Sequence, residues 1–301
     1  MLLAIASEQF VLGAARLARV LRVSAVVIGA IVVGFGTSLP ELLVSVVAAA
    51  GGAPDIALGN VVGSNIANMT LVLGVAALIT PIVVTSGVIK REAPIALAAM
   101  LALGIVLVLD SPRLGGVLLL AGLAGSMALI LLAGRAEPDD PLGPAAAEAV
   151  DGRVRSTGGE ALRAVLGLAG TLAGAQLVVV GAEGIADRAG LSEGFVGLTI
   201  VALGTSLPEL FTAIQAARKG EPDLIVGNVL GSTVFNSLGI AGVAIVIAPG
   251  AVAGAVAGVG VYAMLALGLL AFVLMVTDSR VRRWEAALLV VAYGALIPFL
   301  A

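Results

Sequence analysis

The chain has 301 residues, 60% of them apolar and only 12% charged, with a mean hydropathy of +1.17; soluble domains carry roughly 25% charged residues. It therefore reads as an integral membrane protein. Cysteine and histidine are both absent, which excludes disulfides, thiolate or imidazole metal sites and histidine-activated nucleophiles together, and a net charge of -3 without a basic cluster leaves no footprint for nucleic acid.

The start, Met1 to Glu8, has no basic residue ahead of its apolar run, and Arg16 and Arg19 come after it. It reads as a first span and not as a signal peptide. Apolar runs and their breaks predict ten spans, at about residues 1–18, 24–50, 56–80, 93–110, 114–134, 161–183, 192–217, 224–248, 256–277 and 283–300. One long polar interval, rich in Pro, Gly and acid, separates the fifth span from the sixth. It is expected to be a loop or short disordered linker over 135–160, between a first five-helix repeat at 1–134 and a second at 161–301.

Self-comparison supports that division. An offset of 168 carries Gly13 onto Gly181, Gly29 onto Gly197, Asn60 onto Asn228, Gly63-Ser64 onto Gly231-Ser232, Asn68 onto Asn236 and Pro81 onto Pro249, with no gap. The chain is a tandem duplication, and five spans per half is an odd number, so the halves must enter the bilayer in opposite senses. The expected fold is thus all-α, ten transmembrane helices in two inverted-topology five-helix repeats. With both termini outside, every basic residue except Arg113 and Arg188 falls in a cytoplasmic loop or linker. Residue 1 aligns with Ala169 although the sixth span starts near Glu160, so the first helix is expected to be shorter than the sixth by one to two turns.

The chemistry lies in two copies of one hexapeptide, Gly36-Thr37-Ser38-Leu39-Pro40-Glu41 and Gly204-Thr205-Ser206-Leu207-Pro208-Glu209. A proline inside a helix has no N–H to give and its ring clashes with the carbonyl four residues back, here Gly36 or Gly204. Backbone oxygens are then expected to be free at membrane depth, where such groups persist only against protein or a watery cavity. Nearly all acidic residues lie in loops or at span ends, but Glu41 and Glu209 fall mid-span. A charge there costs at least about 2.5–3.5 kcal/mol, and no Lys or Arg lies at comparable depth. Two carboxylates without a protein counter-ion match one divalent cation.

Thr37 and Ser38 precede Glu41 by four and three residues, as Thr205 and Ser206 precede Glu209, so each set comes near one helical face. Four hydroxyls, two carboxylates and several carbonyls suffice for the six to eight oxygens that Ca²⁺ takes; Mg²⁺, smaller and octahedral, fits less well. A second stripe recurs every fourth residue, Asn60, Ser64, Asn68 and again Asn228, Ser232, Asn236. Asn60 and Asn228 read as interhelical hydrogen-bond formers beside close-packing glycines, whereas Ser64, Asn68, Ser232 and Asn236 read as cavity lining. Glu8 also lies within a span, but its repeat partner is Gln176, so it reads as a gate or vestibule residue.

Two repeats bearing G-T-S-L-P-E and then G-N-x-x-G-S-x-x-x-N resemble the α-repeats of the sodium/calcium exchangers, in the cation/Ca²⁺ antiporter superfamily, and in particular the small ten-span prokaryotic members. The resemblance covers nearly the whole chain. It implies Na⁺-for-Ca²⁺ antiport across the cell membrane by alternating access, with Ca²⁺ held between Glu41 and Glu209 with help from Thr37 and Thr205. It further implies Na⁺ sites drawing on Ser38, Ser64, Ser206 and Ser232, carbonyl ligands at Gly34 and Ala202, and Asn68 and Asn236 facing the centre. Some relatives carry Asp where this chain has Asn236. The transported ions are then Ca²⁺ and Na⁺, and neither a resident cofactor nor an obligate protein partner is expected. Ca²⁺/H⁺ or K⁺-dependent antiport on the same scaffold is the nearest alternative, and a cation channel a more distant one. An enzyme is disfavoured, since Lys90 and Lys219 lie away from Ser38 and Ser206.

Overall fold

The two prolines decide the local structure. In the computed structural model, which describes residues 2–21, 29–84, 86–110, 112–134, 157–189, 197–252 and 254–300, each hexapeptide is a break between helices. A π-helical arm, Gly29–Gly34, runs into one α-turn, Phe35–Thr37; Ser38 is a turn residue, and a new helix occupies Leu39–Ala50. The second copy repeats this with Gly197–Val201, Ala202–Thr205, the turn at Ser206 and Leu207–Lys219. The helix axes bend by 46° and 48° at these breaks. Pro40 and Pro208 thus sit in the first turn of a fresh helix and not in a helix interior as expected. There a missing N–H leaves nothing unpaired, because first-turn N–H groups have no intrahelical acceptor.

The helices, in chain order, are α1 (Leu2–Leu21), α2 (Leu39–Ala50), α3 (Pro54–Ala67), α4 (Leu73–Ile79), α5 (Ser86–Lys90), α6 (Glu92–Val108) and α7 (Arg113–Gly134), followed by α8 (Thr157–Ala189), α9 (Leu207–Lys219), α10 (Pro222–Val234), α11 (Ala241–Ile247), α12 (Val261–Val276) and α13 (Arg283–Leu300). Short π-helical stretches, Asn68–Val72 and Phe235–Ile240, join α3 to α4 and α10 to α11, and Ala255–Gly260 leads into α12. Among the described residues, four segments, 54–79, 113–130, 222–247 and 255–279, are long and apolar enough to cross a membrane, or six if each bent pair forms one span. Strands Ile82–Val83 and Arg280–Val281 form a small antiparallel clasp, Ile82 opposite Val281, that the all-helical expectation did not include. Residues 157–160, expected in the linker, already belong to α8; the linker residues 135–156 lie outside the described residues.

α1 spans 20 residues and α8 spans 33. This difference between the described helices exceeds the one to two turns expected. The pair is antiparallel. Arg16 bonds to Glu160 at 3.3 Å, Gly13 faces Ala164 and Phe10 faces Gly167.

The halves interlock through glycine. The arm of each half lies against the α3-type helix of the other, and the crossings are backbone to backbone. A Cβ at Gly63 would stand 2.3 Å from the Leu198 carbonyl oxygen, and one at Gly231 would stand 2.4 Å from that of Ala30. Small residues permit such approach where lipid offers no hydrophobic drive between helices. Gly63→Ala or Gly231→Ala should therefore force the halves apart and lower stability by about 1–3 kcal/mol. Thermal unfolding in detergent checks this, with Gly125→Ala, whose Cβ meets nothing within 4 Å, expected to melt like the parent.

Candidate cation site

Each broken helix delivers a carboxylate to its partner. Glu41 and Glu209 lie in the first turns of α2 and α9 and are fully buried, where the positive end of the helix dipole favours a negative group. Ser38 Oγ donates to Glu209 Oε1 at 2.8 Å, and Ser206 Oγ donates to Glu41 Oε1 at 3.1 Å. The contacts are crossed: the serine of each hexapeptide holds the carboxylate of the other. Among the described residues, no lysine or arginine pairs with either carboxylate, and the Oε2 atom of each has no hydrogen-bond partner.

The hydroxyls repeat the same crossing. Thr37 Oγ1 lies 2.9 Å from the Val33 carbonyl, 3.4 Å from that of Gly34 and 3.2 Å from Asn228 Oδ1. Thr205 Oγ1 lies 3.0 Å from the Val201 carbonyl, 3.3 Å from that of Ala202 and 3.0 Å from Asn60 Oδ1. Ser232 Oγ donates to the Gly34 carbonyl at 3.0 Å and lies 3.4 Å from Glu209 Oε1, while Ser64 Oγ lies 3.5 Å from the Ala202 carbonyl. The carbonyls of Gly34 and Ala202 also accept the amides of Ser38 and Ser206, at 3.2 and 3.0 Å. They are hydrogen-bonded groups and not bare oxygens, though a carbonyl retains a second lone pair.

Asn68 and Asn236 open the third and eighth expected spans onto their π-helical stretches. Both side chains are fully buried, and neither amide oxygen nor amide nitrogen of either has a partner. Buried polar atoms are ordinarily paired, and an unpaired one costs about 1–3 kcal/mol. Together with the two Oε2 atoms, these are oxygens and amides in a setting that a cation and its coordination shell would relieve. Asn60 and Asn228 behave as expected, as interhelical hydrogen-bond formers: each donates Nδ2 to the backbone carbonyl of Glu41 or Glu209 at 3.3 Å.

Some polar groups escaped the sequence reading. Asn65 Nδ2 donates to Ser237 Oγ at 2.8 Å, a cross-half contact whose repeat counterparts, Thr233 and Met69, are a poor match. Glu8, taken for a gate or vestibule residue, forms a 2.7 Å ion pair with Lys219 at the end of α9, beside a cavity of about 360 Å³ lined by Ile5, Gln215 and Arg218.

Comparison with known proteins follows the same lines. The family model described as sodium/calcium exchanger protein matches residues 1–132 and 160–301. The chain belongs to the sodium/calcium exchanger family. It is 42% identical over 293 residues, 95% of this chain and 91% of the relative, to a protein of Alkalimonas amylolytica provisionally named antiporter CaxA. It is 31% identical over 328 aligned positions to sodium/calcium exchanger MaX1 of Methanosarcina acetivorans, covering 97% of this chain and 93% of the relative. Among solved structures it resembles the sodium-calcium exchanger NCX_Mj soaked with 2.5 mM Na⁺ and 0.1 mM Ca²⁺, with a TM-score of 0.83 and 32% identity over 100% of this chain and 95% of that one. Members of this exchanger family are transporters and not enzymes, and the chain is an integral membrane protein of the cation/Ca²⁺ antiporter type.

The crossed serines generate a specific expectation. Ser38→Ala and Ser206→Ala each remove one hydrogen bond to a buried carboxylate, a loss of about 1.5–3 kcal/mol. Equilibrium Ca²⁺ and Na⁺ binding to the purified protein should weaken in both variants, and less in Ser38→Ala, because Ser232 Oγ also lies 3.4 Å from Glu209 Oε1.

Proposed function

We propose that this chain exchanges Na⁺ for Ca²⁺ across the cell membrane by alternating access, using ten spans arranged as two inverted five-helix repeats, 1–134 and 157–301, joined by a cytoplasmic linker at 135–156. The observation that carries the reading is the crossed carboxylate pair: Glu41 and Glu209, buried without a cationic partner among the described residues and each bonded to the other half's serine. The antiparallel α1–α8 pairing and the matching contacts at the repeat offset support the inverted arrangement. The distribution of basic residues supports external termini.

The ligands on this reading are Glu41 and Glu209 with Thr37 and Thr205 for Ca²⁺. Na⁺ draws on Ser38, Ser206, Ser64, Ser232 and the carbonyls of Gly34 and Ala202, with Asn68 and Asn236 at the centre. Occupancy by Ca²⁺ and by Na⁺ is mutually exclusive because both neutralise the same two carboxylates. Ca²⁺ leaves the site neutral and three Na⁺ leave it at +1, so the Na⁺-loaded step carries current, worth about 2.3 kcal/mol per charge per 100 mV. An unloaded site, with two unneutralised carboxylates, crosses poorly, and that obligates exchange. On this reading the α1–α8 pair slides past the bundle as one close-packed unit, held together by its glycine seam, and the Glu8–Lys219 bond must then break or travel with it.

The deciding experiment is Ca²⁺ uptake into proteoliposomes. A Na⁺ gradient should drive uptake, an imposed potential should change its rate, and Glu41→Gln or Glu209→Gln should abolish it. Uptake driven by a pH gradient and indifferent to Na⁺ would replace this reading with Ca²⁺/H⁺ exchange, for which the unpaired Oε2 atoms offer proton positions; flux indifferent to ions on the far side would indicate a channel. Asn236→Asp adds a third carboxyl at the centre and should alter the pH or Na⁺ dependence of uptake. Unchanged responses would remove Asn236 from the site.

A further inference from the structure

We propose that Asn60 and Asn228 are positioning residues that cross-link the two halves of the cation site, so that the hydroxyl and carboxylate ligands of one half are aimed by the other. The inference rests on the exchanger reading and adds two residues to it that are not themselves ligands. Each asparagine uses the two unlike ends of its amide. Asn60 donates Nδ2 to the Glu41 carbonyl at 3.3 Å in its own half and accepts Thr205 Oγ1 at 3.0 Å from the other. Asn228 donates to the Glu209 carbonyl at 3.3 Å and shares the Thr37 hydroxyl hydrogen, at 3.2 Å, with the Val33 carbonyl at 2.9 Å, as Asn60 shares that of Thr205 with the Val201 carbonyl at 3.0 Å.

The consequence is geometric. A glutamate carboxylate can meet the opposing threonine across one cation only if the first turn of α2 or α9 is fixed against the arm of the other half, and the amide is the bond that fixes it. It also draws the threonine hydrogen toward protein, leaving a hydroxyl lone pair for a cation. The contrast within each stripe is informative. Asn60 and Asn228 are buried with both amide ends bonded, whereas Asn68 and Asn236, two turns further along, are buried with both ends open. The outer pair is committed to the protein and the inner pair is available.

The two clamps are unequal. Asn60 Nδ2 has a second acceptor in Ser45 Oγ at 3.0 Å, and Ser45 is itself anchored to the Ala57 carbonyl at 3.0 Å. The residue at the repeat-equivalent position is Ala213, which has no hydroxyl. The Glu41 side is braced and the Glu209 side is not, so changes at Asn228 should be felt less by the fold and more by ion selectivity than changes at Asn60.

Aspartate separates positioning from ligation, because the two roles predict opposite outcomes. A ligating asparagine changed to aspartate keeps its oxygen and gains a charge, so Ca²⁺ binding holds or strengthens. A positioning asparagine loses the N–H that the glutamate carbonyl needs and sets oxygen against oxygen. The test is equilibrium binding of radiolabelled Ca²⁺, with Na⁺ competition, to the full-length protein in detergent. Asn60→Asp and Asn228→Asp should each bind Ca²⁺ about tenfold more weakly or worse, the size expected for an orphaned buried acceptor; binding at or above the parent's affinity overturns the proposal. Should an aspartate variant melt before assay, double-mutant cycles decide. Asn228→Ala with Thr37→Val, which are bonded, should be non-additive for Ca²⁺ affinity, whereas Asn228→Ala with Thr277→Val, an exposed threonine bonded to its own helix at the Val273 carbonyl, should be additive. Additivity in both cycles overturns the cross-link. A parent protein that binds no Ca²⁺ in competition with Na⁺ overturns the exchanger reading and this one together, while a competent parent with tight-binding aspartate variants sinks only the clamp.

Discussion

Two carboxylates buried in an apolar helical bundle, with no basic side chain to answer them among the described residues, set the constraints on the rest of the fold. Glu41 and Glu209 are completely shielded from solvent, and even the most permissive scale puts a lone charge at such depth at about 2.5–3.5 kcal/mol. The protein offers partial compensation through helix N-termini and crossed serine hydroxyls. It leaves one oxygen of each carboxylate unbonded, and the amides of Asn68 and Asn236 are equally open. On the exchanger reading, such a site is neutralised by the cation it carries.

The remaining architecture can be understood as the means of bringing those groups together. A continuous helix would carry Thr, Ser and Glu along one face of one rod; the proline break turns the rod by more than 40° and presents the start of a second helix to the opposite half. The glycine crossings at Gly63 and Gly231 then let an arm and a helix from different halves approach at backbone distance, which is what puts Ser38 within reach of Glu209 and Ser206 within reach of Glu41. Duplication makes each of these devices serve twice.

The two halves nevertheless differ, at the Ser45 brace of Asn60 and also away from the shared centre. α8 extends beyond its counterpart, the strand clasp joins Ile82 to Val281 without a repeat equivalent, and Lys219 pairs with Glu8 where the matching positions are Gly51 and Gln176. Alternating access needs two faces that exchange roles, but it does not need them to be equally stable. Contacts present in one half alone are where a preference for one face would be set.

The sequence alone was enough for the class and much of the site. Composition dictated a membrane protein, the offset of 168 exposed the duplication, and two mid-span glutamates without counter-charges pointed to a candidate cation centre, because charge in hydrocarbon is too costly to be incidental. The family resemblance rested on the same hexapeptides, and the exchanger relatives agree with it. Tertiary structure decided what one-dimensional spacing could not carry. Spacing placed Thr37, Ser38 and Glu41 together on one face; the fold instead pairs each glutamate with the serine, and each threonine with the asparagine, of the other half. Such contacts join residues roughly 145 to 191 positions apart, and no local pattern encodes them. The strand clasp and the Glu8–Lys219 bond belong to the same category, since each depends on which elements pack together and not on the order in which they occur.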